Sequence, residues 1–256
     1  MWRIRIDTAC KQLAVEVRDA DLLLAHFYTL ATEAFTLRKL DLNPSKAWWQ
    51  GLEDAQQGML YLHGYGDRKT GQHKGISAIH TSSGEQSWEA EALAFYGFAE
   101  GGLLAYTADS PEEALMLLDP ENGNLLRTGI AQQEAAKLVA GFNPVRYADA
   151  IFPVLYLEGE PYFNDVSQFI RVQAGQEPVK GIEYAETDQY IVVSYYTPTA
   201  AGHLDNFVEV YDLEGNLQLK VKLGSGLSGI GSDTFFIFNL RLYLLLDKQV
   251  LQVYGF

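Results

Sequence analysis

Residues Gly75 to Glu89 read Gly-Ile-Ser-Ala-Ile-His-Thr-Ser-Ser-Gly-Glu-Gln-Ser-Trp-Glu, which is a strand, a tight turn and a second strand. The same order recurs from Ala114 to Arg127 and from Phe207 to Lys220. The glycines that close the three turns are Gly84, Gly123 and Gly215. A glycine at this place suits a left-handed turn position. The stretch therefore predicts a chain built from repeated small antiparallel sheets.

The spacing of the turn glycines indicates the size of the repeat. The first two are about one four-stranded propeller blade apart, at about 40 to 45 residues, and the second and third are about two blades apart. Fifteen Tyr and thirteen Phe add to the strand-forming composition. We predict an all-β fold, a small β-propeller of five to six four-stranded blades with a short helical insertion, forming one domain over residues 1–256. The predicted blades cover residues 2–42, 47–90, 91–130, 179–224 and 225–256.

Residues 131–178 depart from the strand pattern and are predicted to form an irregular blade or a helical insertion. Gln132 to Ala140 has helical composition, and Gly141 stands where a C-terminal cap would lie. A second helix is expected to start at Asn164 or Asp165 and to end at Gly175. The last blade has three obvious strands, so its fourth strand would come from the N-terminus.

The overall charge and the single cysteine exclude several classes of function. The net charge of −14 would repel a phosphate backbone, so nucleic acid is not expected as a partner. Cys10 is the only cysteine, which excludes an intramolecular disulfide and a cysteine-based metal cluster. The N-terminus lacks the pattern of a secretory signal, and the apolar stretch from Phe235 to Leu246 is too short to span a membrane. We therefore expect a cytoplasmic protein with no membrane partner.

Two resemblances accompany this pattern. Ile76 to Glu89, with Trp88 near its end, resembles the blades of quinoprotein-type propellers, although His80 and Ser83 replace two residues of that repeat. The wider pattern resembles an uncharacterised bacterial family known only as a domain of unknown function; it includes Ala14 to Asp19, Trp49 to Asp54 and Gly231 to Ile237. The first resemblance implies a propeller. It does not imply a quinone cofactor, because the quinone-dependent dehydrogenases of that class have two adjacent cysteines and this chain has one. The second implies no activity, so no cofactor is predicted.

Two similar loops carry the first candidate binding residues. The loop from Tyr65 to His73 and the loop from Tyr196 to His203 each precede a third strand. In a propeller such loops share one face, where the two histidines could meet Asp67 and Asp205. The functional interpretation is a polar binding site with metal or general-base chemistry from the imidazoles. The simpler and favoured interpretation is two solvated histidines that end hairpins.

Further candidates combine aromatic rings with carboxylates. Trp48 and Trp49, with Glu53 and Asp54, offer the stacking surface and acceptors of a sugar or peptide site, although one of two adjacent strand residues normally faces the core. Glu158 and Glu160 lie on one face of a strand and would form either an acid and base pair or a solvated edge. The remaining strand histidines, His63 and His80, are interpreted as structural. No metal-ligating set is predicted.

These patterns leave three functions open, one of which is a self-associating structural module that a monomer in solution would exclude. The leading hypothesis is a non-catalytic propeller that binds a protein or a small polar ligand through its loop face. The alternative is an enzyme that acts on a polar metabolite or glycan at the channel mouth, with at least two of the candidate carboxylates and histidines at one pocket. The sequence predicts neither a ligand identity nor an oligomeric state.

Overall fold

The computed structural model of the chain describes residues 3–42, 48–67, 69, 71–111 and 113–256. Asp67 is described by its backbone only. The chain divides into two compact units, Met1–Ala148 and Asp149–Phe256. Each unit is an assembly of antiparallel sheets. Across the described residues, neither helix is long and apolar enough to cross a membrane.

The first unit contains three four-stranded meanders. Sheet one is formed by β1 (Arg3–Asp7), β2 (Gln12–Asp19), β3 (Leu24–Ala31) and β4 (Thr36–Leu40). Sheet two is formed by β5 (Gly51–Gln56), β6 (Met59–Asp67), β7 (Gln72–His80) and β8 (Gln86–Ala90). Sheet three is formed by β9 (Leu93–Ala99), β10 (Gly102–Thr107), β11 (Leu115–Leu118) and β12 (Leu125–Ile130). Every pairing within them is between strands adjacent in sequence.

The turn glycines of the repeat have the backbone conformation expected of them. Gly84, Gly123 and Gly215 have φ values of +80°, +73° and +86°, which residues with a side chain rarely adopt. At Gly123 the space is closed as well, because an added Cβ would lie 2.8 Å from the ring of Trp88. The Trp88 indole donates to the Pro120 carbonyl at 2.9 Å. The last strand of sheet two is thus fitted to a turn of sheet three.

Apolar side chains between successive sheets form the core of the first unit. Phe27, Leu52 and Leu62 belong to one buried cluster, which joins sheets one and two. Tyr61, Trp88, Phe98 and Leu103 belong to another, which joins sheets two and three. Blade-like sheets therefore stack through their faces, as the alternation of buried and polar residues predicts.

Helix α1 (Gln132–Arg146) follows sheet three and is longer than the sequence indicated. The predicted end at Gly141 is wrong, because the helix continues to a cap at Tyr147. Two later residues account for the extension. Phe142 packs against the cluster between sheets two and three, and Arg146 is buried in an ion pair. Tertiary contacts thus outweigh the helix-ending tendency of glycine.

The second unit contains a five-stranded and a four-stranded sheet. Sheet four is formed by β14 (Val154–Leu157), β15 (Gly181–Glu186), β16 (Tyr190–Pro198), β17 (Leu204–Asp212) and β18 (Leu217–Leu227). Sheet five is formed by β13 (Ala150–Ile151), β19 (Phe235–Phe238), β20 (Arg241–Leu246) and β21 (Val250–Gly255). Val208, Val210, Phe235 and Leu242 are members of the buried cluster between them.

The source of the fourth strand in sheet five corrects one prediction. The N-terminal strand β1 pairs with β2 in sheet one and is not available for the last blade. Instead β13 pairs antiparallel with β19, with Ala150 opposite Phe238 and Ile151 opposite Ile237. The strand is only two residues long, so it carries little pattern of its own.

Helix α2 (Pro161–Ala174) lies between β14 and β15. It starts earlier than predicted: Glu160 is the N-cap and Pro161 the first helical residue, rather than a start at Asn164 or Asp165. Proline suits this place because its missing N–H would have no helical partner there. The predicted end at Gly175 is confirmed, with φ +65°. Five blade-like sheets and a helical insertion confirm the predicted fold class.

Candidate functional site

Three neighbouring strands of sheet two place polar side chains on one face. His63 and Tyr65 are two residues apart on β6, so they point to one side of that strand, and Glu53 of β5 lies on the same side because its carboxylate is 3.0 Å from His63. His73 on β7 is the ladder partner of Tyr65. A carboxylate, two imidazoles and a phenol ring therefore meet on this face.

Irregular pairing aligns these residues. The β5–β6 register shifts between Leu52 and Asp54, which leaves Glu53 without a ladder partner, as in a β-bulge. The β6–β7 register shifts between His63 and Gly64, where Gly75 is the extra residue and has φ +90°. Bulges re-aim side chains and are frequent beside functional sites.

The Glu53 carboxylate is shared by the two histidines. Its Oε1 atom lies 3.0 Å from Nδ1 of His63 and also forms a short hydrogen bond with Nδ1 of His73. The two imidazole rings are stacked, with centroids 3.5 Å apart and planes inclined by 10°. Arg3 approaches the second oxygen of Glu53 at 3.8 Å. We call Glu53, His63 and His73 the carboxylate–histidine cluster.

His63 is the most enclosed member of the carboxylate–histidine cluster. Its side chain is 2% exposed, and among the described residues neither ring nitrogen has a hydrogen bond of acceptable geometry, although Nδ1 lies 3.0 Å from Oε1 of Glu53. On its other edge the ring fits against the backbone of Gly51, where an added Cβ would be 2.5 Å from Nε2. Nδ1 is therefore the nitrogen that faces the rest of the cluster.

Burial and mutual contact shift the acidity of the cluster. Burial raises the pKa of the Glu53 carboxyl, but the two imidazoles beside it outweigh burial and bring its pKa to about 2. Burial lowers the pKa of His63, and this outweighs the opposing attraction of Glu53. At neutral pH the geometry thus presents a carboxylate next to a neutral buried imidazole, which can use a nitrogen lone pair.

A groove of about 550 Å³ lies next to the carboxylate–histidine cluster. Tyr65 connects the two, because it lines the groove and its ring packs edge-on against His63 and His73, with ring centroids 5.1 and 5.9 Å apart. Trp49 also lines the groove and is 40% exposed. The other lining residues are Gln50, Gly64, Gly66, Lys74, Gly75, Ser77, Glu89 and Glu91.

The two adjacent tryptophans have different surroundings. Trp48 is half-buried, and the Arg18 guanidinium lies 5.2 Å from its ring centroid and donates to its carbonyl at 3.0 Å. Trp49 is the exposed member of the pair and faces the groove. Asp54, grouped with them in the sequence, is instead engaged by Arg146. Of the predicted aromatic residues, the structure therefore brings Trp49 and Tyr65 to one groove.

The carboxylates proposed for the second unit have local partners. Glu158 accepts from the Lys180 amide at 3.1 Å, and Glu160 accepts from the Leu157 amide at 2.7 Å. Asp205 pairs with Lys222 at 2.7 Å. These contacts organise turns and a strand pair.

Tyr196 and His203, which the sequence grouped in one loop, have different surroundings. Tyr196 accepts a hydrogen bond from the Gly231 amide at 2.9 Å and lines a cavity of about 350 Å³ under residues 223–234. His203 is exposed, and its main chain forms a turn with Thr199. Among the described residues, neither His203 nor Asp205 lines that cavity. Asp67, the remaining predicted site residue of the first loop, has a side chain that lies outside the described residues.

The sequence alone did not identify two members of the carboxylate–histidine cluster as parts of one site. Glu53 was grouped with the tryptophans, and His63 was interpreted as a structural histidine. A usable signal was present on β6 and β7: His63 and Tyr65 are two residues apart on β6, and His73 follows at the start of β7. What the sequence lacked was the register that aligns the three strands.

Comparison with known proteins finds a family model that is similar to part of the chain. A family model described as a domain of unknown function (DUF4905) matches residues 6–88. That segment includes Glu53, His63 and His73, together with Trp49 and Tyr65 of the groove. No curated protein matches the chain. The quinoprotein-type repeat and a bacterial origin remain predictions.

Solved structures are similar over the length of the chain at low identity. The β-propeller domain of the Trilobed protease from Pyrococcus furiosus has 9% identity and a TM-score of 0.35, over 98% of this chain and 77% of that one. An endo-arabinase from Bacteroides thetaiotaomicron has 12% identity and a TM-score of 0.26, over 98% and 90%. A putative 6-phosphogluconolactonase from Bacteroides uniformis has 14% identity and a TM-score of 0.33, over 98% and 80%.

Proposed function

We propose that this protein is a binding module that holds a small, hydroxyl-rich polar ligand in the groove of its first unit. The observation that supports this function best is the shared position of Trp49 and Tyr65 on a groove of about 550 Å³. Ligand sites typically measure roughly 300 to 1,000 Å³ and combine aromatic walls with a few polar groups. The groove has both properties.

The aromatic side chains supply the apolar part of recognition. Trp49 is 40% exposed and lines the groove, and Tyr65 is held in place by edge-on packing against His63 and His73. Rings with few rotatable bonds offer a flat contact at low entropic cost. A sugar ring or a similar polyol presents C–H groups on one side and hydroxyls at its edge, which matches such a wall.

The polar groups of the groove supply the acceptors. Glu89 and Glu91 are exposed along it, and ionised carboxylates accept hydrogen bonds without donating any. Lys74 is already paired with Asp109 at 2.6 Å, so its positive charge is partly compensated. The balance of these groups favours a neutral donor-rich ligand over an anion.

Isothermal titration with neutral oligosaccharides tests this function. We expect at least one of maltotriose, cellotriose, xylotriose and chitotriose to bind the wild-type protein. The Trp49→Ala variant should bind about tenfold more weakly, because loss of an aromatic contact worth about 1.5 kcal/mol corresponds to that factor. Failure of all four sugars to bind would count against the proposal.

The matched control is Tyr96→Ala. Tyr96 is an aromatic residue of the same unit with similar exposure, at 38%, and it does not line the groove within the described residues. Its substitution should leave oligosaccharide affinity unchanged. Equal weakening by Trp49→Ala and Tyr96→Ala would show that the groove is not the binding surface.

A further inference from the structure

We propose that the carboxylate–histidine cluster binds one divalent transition-metal ion through Oε1 of Glu53 and Nδ1 of His63 and His73. Zn²⁺ is the ion that the donor set suits best. This inference goes beyond ligand binding in the groove, and neither depends on the other.

The spacing of the donor atoms supports a common ligand. All three lie within 4.8 Å of one another, and Glu53 Oε1 is 3.0 Å from His63 Nδ1. Zinc binds imidazole nitrogen at about 2.0 to 2.1 Å and carboxylate oxygen at about 2.0 to 2.2 Å, so its ligands lie roughly 3 to 3.5 Å apart. Small side-chain movements would bring the three atoms to these distances.

The buried state of His63 is a second, independent observation. Its side chain is 2% exposed, and neither ring nitrogen has a well-formed hydrogen bond to any residue that the structure describes. A buried polar group without a partner is destabilising by about 1 to 3 kcal/mol. Gly51 closes the Nε2 edge of the ring, so Nδ1 points toward the cluster. A metal ion at that place would satisfy the lone pair.

The two histidines differ in freedom to move. The stacked rings are inclined by only 10°, whereas an ion bound to both Nδ1 atoms should lie close to the plane of each ring. One ring must therefore turn. His73, at 36% exposure of its side chain, has room to do so, whereas His63 is enclosed. Ion binding should thus separate the stacked rings by rotation of His73.

The chemistry of the donors defines the class of ion. Two imidazole nitrogens and one carboxylate oxygen suit Zn²⁺, Co²⁺, Ni²⁺ and related ions, whereas Ca²⁺ and Mg²⁺ prefer oxygen donors alone. Three protein ligands leave at least one position for water or a small molecule. Arg3, 3.8 Å from the second oxygen of Glu53, opposes a cation, while the net charge of −14 favours its approach.

The experiment is titration of Zn²⁺ into chelator-treated, desalted protein, followed by calorimetry. We expect one Zn²⁺ per chain. His73→Ala and Glu53→Gln should each weaken binding at least about tenfold, as expected when a metal site loses a directing group. Both variants leave His63 in place, so the test does not rely on a substitution in the core. Folding is checked by circular dichroism.

Two further measurements identify the ligands. The histidine ring nitrogens, followed by ¹⁵N NMR, should show Zn²⁺-dependent shifts at Nδ1 of His63 and His73. Co²⁺ should give a visible spectrum that is lost in Glu53→Gln. His203→Ala, which removes an exposed histidine of the second unit, is the matched control and should bind Zn²⁺ like the wild type.

The proposal is overturned if the wild-type protein binds neither Zn²⁺ nor Co²⁺. It is equally overturned if His73→Ala and Glu53→Gln bind Zn²⁺ as tightly as the wild type, since the ion would then lie elsewhere. In both cases the contacts of Glu53 with the two histidines would be structural only.

Discussion

The guanidinium of Arg146 contacts both carboxylate oxygens of Asp54, at 2.6 and 2.7 Å, while only 2% of its side chain is exposed. The same guanidinium donates to Gln56 at 2.8 Å and to the Ala55 carbonyl at 2.7 Å. Its remaining surface packs against the ring of Phe98 at 4.8 Å. The end of α1 is thereby fastened to the first strand of sheet two.

Arg146→Ala should destabilise the first unit by about 3 to 5 kcal/mol, because it leaves the buried Asp54 carboxylate without its counter-charge. Urea unfolding measures the loss. The double variant with Asp54→Ala should recover part of it, since no uncompensated charge then remains. Strict additivity of the two single substitutions would contradict the described ion pair.

Gly123→Ala should destabilise the protein by about 1 to 3 kcal/mol through crowding against Trp88, in addition to backbone strain at positive φ. Gly101→Ala is the matched control. Gly101 has φ +82°, and no atom of the described residues lies within 4 Å of an added Cβ, so its substitution reports the backbone strain alone. Thermal unfolding of the two variants gives the difference. Equal losses would show that the Trp88 contact is unimportant.

Glu183 should make the stability of the second unit fall as pH rises. Burial raises the pKa of this carboxyl above its ordinary 4.5, despite hydrogen bonds from Thr234. Below 4.5 both folded and unfolded states are protonated. As pH rises from 4.5 to the higher folded value, the unfolded state loses its proton first, which favours unfolding.

Glu183→Gln removes this titration, so the stability of the wild type minus that of the variant should decrease across the same pH window. Urea unfolding at a series of pH values measures it. Glu214→Gln, at an exposed turn, is the control and should follow the wild type. A difference that increases with pH would contradict the raised pKa.

The hydrogen bonds to Glu209 should contribute strongly to the free energy of unfolding of sheet four. Glu209 is fully buried, accepts from the hydroxyl of Tyr195 at 2.8 Å and from that of Tyr211, and pairs with Lys220 at 2.6 Å. Tyr195→Phe and Tyr211→Phe should each cost about 1.5 to 3 kcal/mol, the contribution of a hydrogen bond to a charged group. Tyr162→Phe, at a residue 63% exposed, should be neutral in the same unfolding assay.

Much of the fold follows from local sequence signals. The turn glycines, the alternating strands and the cap at Gly175 could all be recognised, because each depends on the conformation of a few adjacent residues. The continuation of α1 beyond Gly141 could not, since it is decided by the packing of Phe142 and the ion pair of Arg146. The two-residue strand β13 was hidden because its partner is far along the chain.

The candidate site was predictable only in part. Trp49, Tyr65 and His73 stood out as polar or aromatic residues near strand ends. Glu53 and His63 become members of one site only when a bulge at Glu53 and the extra residue Gly75 fix the register of three strands. The pairing of the strands determines which side chains meet across a sheet, and a one-residue shift in register would send them to opposite faces.

The pairing of β13 with β19 has a consequence for the order of folding. Residues 150–151 and 237–238 lie on either side of all of sheet four, which is therefore enclosed in the loop that this pairing closes. Closing a long flexible loop is entropically unfavourable and slow. A sheet four that has already formed shortens the effective loop and brings its ends together. Sheet four should thus act as the template on which sheet five is completed.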